Sequence, residues 1–229
     1  KKILIFGFLL CTLFGFSQAS SQHKIDSLKN IVENPKSTYK DLIYSYHSLV
    51  FTFFSISKDS ALHYADKGIN HFKKKKNKKG ITRLLLLRGR ALGAFNEIEK
   101  GVKYFEESYS YYDELEEDSH FLLICEELGN YHDLLSNFYS AITYYNKGLE
   151  SSVEQESKLY EAYFSRHLST IYSKINQQER ALKYIQNAIV LFADIENMKQ
   201  HAYSLIKLAD IYYLKGLNEL AIEKLNEAE

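Results

Sequence analysis

Leu128-Gly129-Asn130-Tyr131-His132 and, nine residues on, Ala141-Ile142-Thr143-Tyr144-Tyr145 decide the fold, because the pattern they make returns every 40 residues. Ala141 has counterparts at Ala61, Gly101, Ala181 and Ala221, and Tyr144 at Tyr64, Tyr104 and Tyr184. Seven positions after Ala141, Gly148 is matched by Gly68, Ser108, Ala188 and Ala228. Twelve positions before it, Gly129 is matched by Gly89, Ser169 and Ala209. One period running over nearly the whole chain is the signature of a stacked array of like units.

Composition makes those units helical. The 229-residue chain is 45% hydrophobic and 25% charged, with one proline (Pro35) and no tryptophan. Such a chain can fill a core and can run uninterrupted helices after residue 36. In the third unit Asp118 to Leu135 carries apolar residues at helical spacing, Asn137-Phe138-Tyr139 reads as a break, and Ser140 to Leu149 resumes the pattern. The other units divide alike, with first helices near 38–54, 78–95, 157–175 and 198–215 and second helices near 59–76, 98–116, 178–195 and from 218 onward. Their breaks are Ser57-Lys58-Asp59, Asn96-Glu97, Asn176-Gln177-Gln178 and Gly216-Leu217-Asn218. The units therefore span about 37–77, 78–117, 118–156, 157–197 and 198–229, after a capping segment at 20–36 in which Ile25, Leu28 and Ile31 share one helical face.

Two small columns twelve residues apart predict that the helices of each hairpin approach closely, near the lower end of the usual axial separation of about 8–10 Å. The larger columns, Leu62/Val102/Ile142/Leu182/Ile222 and Ala65/Phe105/Tyr145/Ile185/Leu225, then fill the space between hairpins as one continuous core. Ile222 and Leu225 have no covering element within the sequence, which creates the expectation that the array continues beyond Glu229.

Leu128-Gly129 with His132, then Ala141 and Tyr145, resembles the tetratricopeptide repeat: Leu-Gly, an aromatic three residues later, Ala, and an aromatic four residues after that. Leu168-Ser169-Tyr172-Ala181-Ile185 and Leu208-Ala209-Tyr212-Ala221-Leu225 match nearly as well, and Arg88-Gly89-Leu92-Gly101-Phe105 more loosely. The first unit, Ser48 to Ala65, fits with one turn residue deleted. The resemblance covers about residues 37–229 and implies an all-α, right-handed α-solenoid of about five helix-turn-helix repeats. The family's usual period is 34, with a proline closing the second helix; here the period is 40 and that proline is missing. Six added residues make about 9 Å of helix, expected between hairpins as a longer second helix and an earlier start of the next first helix. Such variants resemble those of peptide-sensing bacterial regulators and of the N-terminal halves of envelope-associated signalling proteins. HEAT and armadillo repeats have similar periods, but these columns do not carry their signatures.

Lys1-Lys2, an apolar run of about 14 residues and then Ser17-Gln18-Ala19 read as a secretory signal peptide over residues 1–19. A membrane-spanning helix needs about 20 apolar residues. Leu10 before Cys11 argues against lipidation there. Cleavage would change the charge from 29 − 29 to 27 − 29, or −2, and leave Cys125 without a disulfide partner.

Little points to chemistry. Lys73 to Lys76 with Lys78 and Lys79 form a basic run at a hairpin junction, without interleaved aromatics, and read as a solvated loop. The eight histidines include no HExxH and no pair at i, i+4, so no metal is expected; His132 takes an aromatic column position. Gly89 and Gly93 form a GxxxG without the apolar context of a membrane dimer. The nineteen tyrosines are explained by the repeat column rather than by nucleic-acid stacking. No nucleophile elbow, phosphate loop or distinctive carboxylate pair is present, and no cofactor is expected.

In tetratricopeptide arrays the first helices line a concave groove. By that resemblance the groove includes Arg83, Arg90, Leu123, Glu126, Asn130, Asp133, Tyr163, Arg166, Tyr203, Ile206, Asp210 and Tyr213. It lacks the Lys and Asn arrangement that clamps a C-terminal carboxylate, so an extended or helical peptide is the expected ligand. The expectation is a non-catalytic protein- or peptide-binding scaffold of the envelope or secreted space. The alternative is the sensory N-terminal region of a longer signalling protein, such as a membrane histidine kinase or a helix-turn-helix transcription regulator.

Overall fold

The computed structural model describes residues 22–54, 56–111 and 119–229; the signal-peptide reading of 1–19 falls outside them. Residues 22–33 are helical (α1). There follow α2 (Tyr39–Phe53), α3 (Lys58–Lys74), α4 (Lys78–Ala94), α5 (Ile98–Ser110), α6 (Ser119–Leu134), α7 (Phe138–Glu154), α8 (Lys158–Lys174), α9 (Gln178–Asp194), α10 (Met198–Leu214) and α11 (Asn218–Glu227). No strand occurs among the described residues. The protein is an all-α helical repeat, and the chain divides into two compact units at Glu97/Ile98.

In the first unit, α1 buries Ile25, Leu28 and Val32, while Ile31 is half-buried. Thr38 starts α2 with a capping box: its hydroxyl accepts from the Asp41 N–H at 3.2 Å, and the Asp41 carboxylate accepts from the Thr38 N–H at 3.4 Å. Helix α2 then buries Tyr46, Leu49 and Val50 against α3 and α4. Gly68 of α3 leaves room for α4 to close in; a Cβ there would lie 2.4 Å from Leu84 and 2.9 Å from the Tyr46 ring. The Arg88 guanidinium forks onto Asp66 at 2.5 and 3.0 Å, joining α4 to α3.

The second unit has one core running through α6 to α10, from Phe121, Leu122 and Cys125 through Ala141, Tyr145, Phe164 and Leu168 to Ala181, Ile185, Leu208 and Ile211. The columns explain its continuity. The Ser169 hydroxyl donates to the Ala181 carbonyl oxygen at 2.8 Å, so the two small columns do meet within a hairpin. Gly129 instead opens a slot for the Tyr145 ring, and a Cβ there would stand 2.2 Å from it. Gly148 does the same between hairpins for Phe164. Tyrosines of the shared column stack on the preceding helix: Tyr144 on His132 (5.5 Å, 5°) and Tyr184 on Tyr172 (5.5 Å, 7°). In the first unit the equivalent pair is Phe53–Tyr64, eleven residues apart instead of twelve, as the deleted turn residue requires.

One feature differs from the sequence reading. The breaks sit one to three residues earlier than expected, at 175–177 and 135–137 for example, so Lys58, Phe138, Gln178 and Asn218 already belong to helices. These residues follow an N-cap, and because each is polar or follows a polar residue, polarity alone reads them as turn. The six added residues lengthen first and second helices alike: α3, α4, α7, α8, α9 and α10 each have 17 residues. Helix α5 is described as Ile98–Ser110, with the Ser110 hydroxyl donating to the Glu107 carbonyl oxygen at 2.7 Å, and the expected end of this helix near 116 lies outside the described residues.

Cys125 is fully buried in the second unit, and burial pushes its thiol up to about 12. Two results are expected. Ellman's reagent leaves Cys125 unmodified in the folded protein and reaches it after unfolding. Because the raised folded value keeps the thiol protonated while the unfolded chain's thiol ionises above its ordinary value of 9.0, this group's contribution to stability is complete below pH 9 and is lost as pH rises toward about 12. Urea midpoints at pH 7 and 10 check the second.

Candidate functional site

First helices set the site because their second partners cover only one side. In the second unit α6, α8 and α10 lie side by side in that order, with α6 touching α8 and α8 touching α10. Side chains on this face reach across to the neighbouring first helix. The Lys174 ammonium of α8 donates to both carboxylate oxygens of Asp133 on α6 at 2.6 and 2.7 Å. His167 of α8 lies 3.6 Å from Glu126 of α6, stacked on the Tyr145 ring at 4.9 Å. Arg166 of α8 donates to the Gln200 side-chain oxygen of α10.

Arg166 is 9% exposed. Its guanidinium carbon lies 5.1 Å from the Tyr163 ring, 5.3 Å from Phe192 and 4.9 Å from Tyr203, a box of three aromatic faces. Burial holds its pKa below the ordinary arginine value, opposed by Tyr163, Tyr203 and Glu126. One helical turn further along α8 a cleft of about 390 Å³ opens between α8 and α10. Thr170, Ser173, Lys174, Lys207 and Asp210 form its polar side, and Ile211, Tyr213 and Leu214 its apolar side. Lys207 lies 3.1 Å from Asp210.

The expected groove residues thus separate into groups. Glu126, Asp133, Tyr163, Arg166, Tyr203, Asp210 and Tyr213 all belong to this face of the second unit. Asn130 is taken up inside its own hairpin, accepting from the Tyr145 hydroxyl at 2.7 Å. Leu123 is half-buried and Ile206 is 39% exposed. In the first unit, Arg83 and Arg90 act on His47 of α2, whose pKa is lowered first by burial and then by Arg90 and Arg83. Sequence reasoning missed His167, Lys174, Gln200 and Lys207. An acid–base spacing of 41 residues, seen in both Glu126/His167 and Asp133/Lys174, would have found the first two.

Elsewhere, Lys73 to Lys76 are exposed at the α3–α4 turn. Among the described residues no group of three or more His, Cys, Asp or Glu is placed to hold a metal ion, and no helix is long and apolar enough to cross a membrane.

Helical hairpins stacked on small columns, with a polar ladder along the first helices of the second unit, make a tetratricopeptide-like repeat fold. No protein-family model matches the chain, and no curated protein matches it in sequence. Solved structures do share its fold. BtubC (BKLC) from P. vanneervenii superimposes with a TM-score of 0.82 at 14% identity, over 92% of this chain and 87% of that one. The apo form of RapI gives 0.68 at 12%, over 94% and 95%. A signal transduction ATPase with numerous domains and a tetratricopeptide repeat sensor, from Pyrococcus horikoshii, gives 0.75 at 15%, over 92% of this chain and 34% of that one.

Proposed function

We propose that this chain is a scaffold that binds protein or peptide on the first-helix face of its second unit, has no catalytic role of its own, and works in the envelope or the secreted space. The observation that carries the reading is the Glu126–His167, Asp133–Lys174 and Arg166–Gln200 ladder beside an open cleft of about 390 Å³. A ladder of this kind fixes the side chains that line a groove, and a preorganised groove binds a flexible segment at lower ordering cost. The envelope assignment rests on residues 1–19 as a signal peptide.

A photo-crosslinking residue placed at Tyr203 or Tyr213, 46% and 69% exposed on α10, is expected to trap a protein partner in the native host. The same residue at Tyr139 on α7 or Val190 on α9, 90% and 59% exposed on second helices, is expected to trap none. Equal trapping from both faces, or trapping from the second helices alone, removes the reading. N-terminal sequencing of the mature protein tests the location: a start at Gln18 or Ser20 supports it, and a retained Lys1 in a cytosolic fraction sinks it.

A second reading makes the chain the sensory part of a longer signalling protein, supported by its likeness to the ATPase whose structure carries a tetratricopeptide repeat sensor. Reading the locus past codon 229 decides between them. A transmembrane helix followed by a kinase or DNA-binding domain favours the sensor, whereas one polar helix and a stop removes it.

A further inference from the structure

We propose that Arg166 is the receptor for an acidic side chain of an extended peptide, and that the adjoining α8–α10 cleft takes an apolar side chain of the same peptide two to three residues away. This rests on the reading of the first-helix face as peptide-binding and names the chemistry it selects.

The charge of Arg166 is incompletely answered by the protein. The side chain is more than nine-tenths buried, yet among the described residues no carboxylate lies within ion-pair distance of it. Gln200 accepts one of the five N–H groups that a guanidinium offers. The three rings around it offset charge through their faces but accept nothing in the guanidinium plane. The neighbouring acids are engaged elsewhere: Glu126 with His167, Asp133 with Lys174 and Asp210 with Lys207. A buried, unpaired cation is costly to a fold. A carboxylate is the group that completes it, because two parallel N–H donors match two carboxylate oxygens.

The cleft fixes the second element. Thr170, one turn beyond Arg166 on α8, already lines it, and Ser173 lies about 10 Å from Arg166 along the helix axis at about 1.5 Å per residue. An extended peptide at about 3.3 Å per residue covers the roughly 6 Å to Thr170 in about two residues and the roughly 10 Å to Ser173 in about three. The cleft wall there is Ile211, Tyr213 and Leu214, the last two 69% and 62% exposed, so an apolar side chain entering it removes apolar surface from water on both partners.

The test selects from a phage-displayed random dodecapeptide library on the full chain, then measures synthetic C-terminally amidated peptides by fluorescence anisotropy. Enriched peptides are expected to carry Asp or Glu with an apolar residue two or three positions away. Exchanging that Asp for Asn should weaken binding at least tenfold on the parent protein and less than twofold on Arg166→Gln. Arg166→Lys, which keeps the charge and loses the fork, should bind at least fivefold more weakly. Circular dichroism checks that each variant folds. Should Arg166→Gln unfold, the Asp-to-Asn comparison on the parent protein is read instead from the Arg166 Nε–H resonance, which must shift with the acidic peptide and not with its amide. Enriched peptides without an acidic residue, or unchanged affinity for Arg166→Gln, overturn the inference and leave the binding face standing. Binding abolished by amidation assigns the carboxylate to a peptide terminus and overturns it too. No enrichment at all overturns both readings.

Discussion

Phe164→Ala is expected to lower the unfolding free energy by about 3–5 kcal/mol, and Gly148→Ala, its steric counterpart, by about 1–3 kcal/mol. Both changes act on the contact that sets the distance between two successive hairpins. The Phe164 side chain is fully buried, with Tyr145 at 6.4 Å and Tyr160 at 6.2 Å from its ring. Gly148 lies under that ring, and a Cβ there would stand 2.3, 2.5 and 2.7 Å from three of its carbons. Replacing glycine by alanine within a helix is worth about 1 kcal/mol in the opposite direction, so the net sign depends on whether the ring can move. With tyrosines on its flanks it cannot move without opening the core, and the clash wins. Combining Gly148→Ala with Phe164→Leu should recover much of the glycine penalty, since neighbouring substitutions in one contact are not additive. Urea unfolding with unchanged m-values measures all three. A higher midpoint for Gly148→Ala alone would show that this contact does not govern the spacing.

The fold was legible because its physics is periodic. Small residues at Gly129, Ala141 and Gly148 exist so that rings from the same hairpin and the next can pass, and each repeats with its unit, so the helix order and the core of the second unit are readable directly. Helix ends were less legible. Lys58 and Gln178 are polar and were assigned to turns, yet each follows an N-cap and begins a helix. At Gln178 the preceding helix is ended by the left-handed backbone of Asn176, two positions earlier, which polarity does not report. The candidate site was legible in position and not in pairing. Tyr163, Arg166 and Tyr203 belong to one face by phase alone, but that Asn130 is consumed by the Tyr145 hydroxyl, or that Lys174 reaches back to Asp133, depends on side-chain reach across neighbouring helices. Such contacts follow from rotamers and helix separation, and those appear only once the hairpins are stacked.

Replacing Lys76, Ser136, Glu156 and Glu196 together by glycine is expected to stabilise the protein by about 2–4 kcal/mol and to raise its melting temperature by on the order of 5–10 °C. All four have positive φ, at 51°, 59°, 53° and 55°, as do Asn96 and Asn176 at 60° and Gly216 at 75°. Among the described residues they fall at multiples of 20 positions because α3, α4, α6, α7, α8, α9 and α10 close in the same way. In each of these closures the amide after the left-handed residue donates five residues back, as Asn77 does to Phe72, Ser157 to Ser152 and Asn197 to Phe192. The left-handed conformation costs a residue with a Cβ about 1–2 kcal/mol. Glycine removes that cost and gives back about 0.4–1 kcal/mol through the greater freedom of the unfolded chain, leaving about 0.5–1 kcal/mol at each site. All four side chains are exposed and each closes a different helix, so the gains should add. Asn96→Gly and Asn176→Gly should change little, because asparagine already tolerates this conformation. Gly216→Val should destabilise although nothing lies within 4 Å of the added carbon, since there the penalty is one of backbone alone. A quadruple variant that melts no higher than the parent would mean that the side chains of Lys76, Ser136, Glu156 and Glu196 contribute to closure as much as their backbone strain removes.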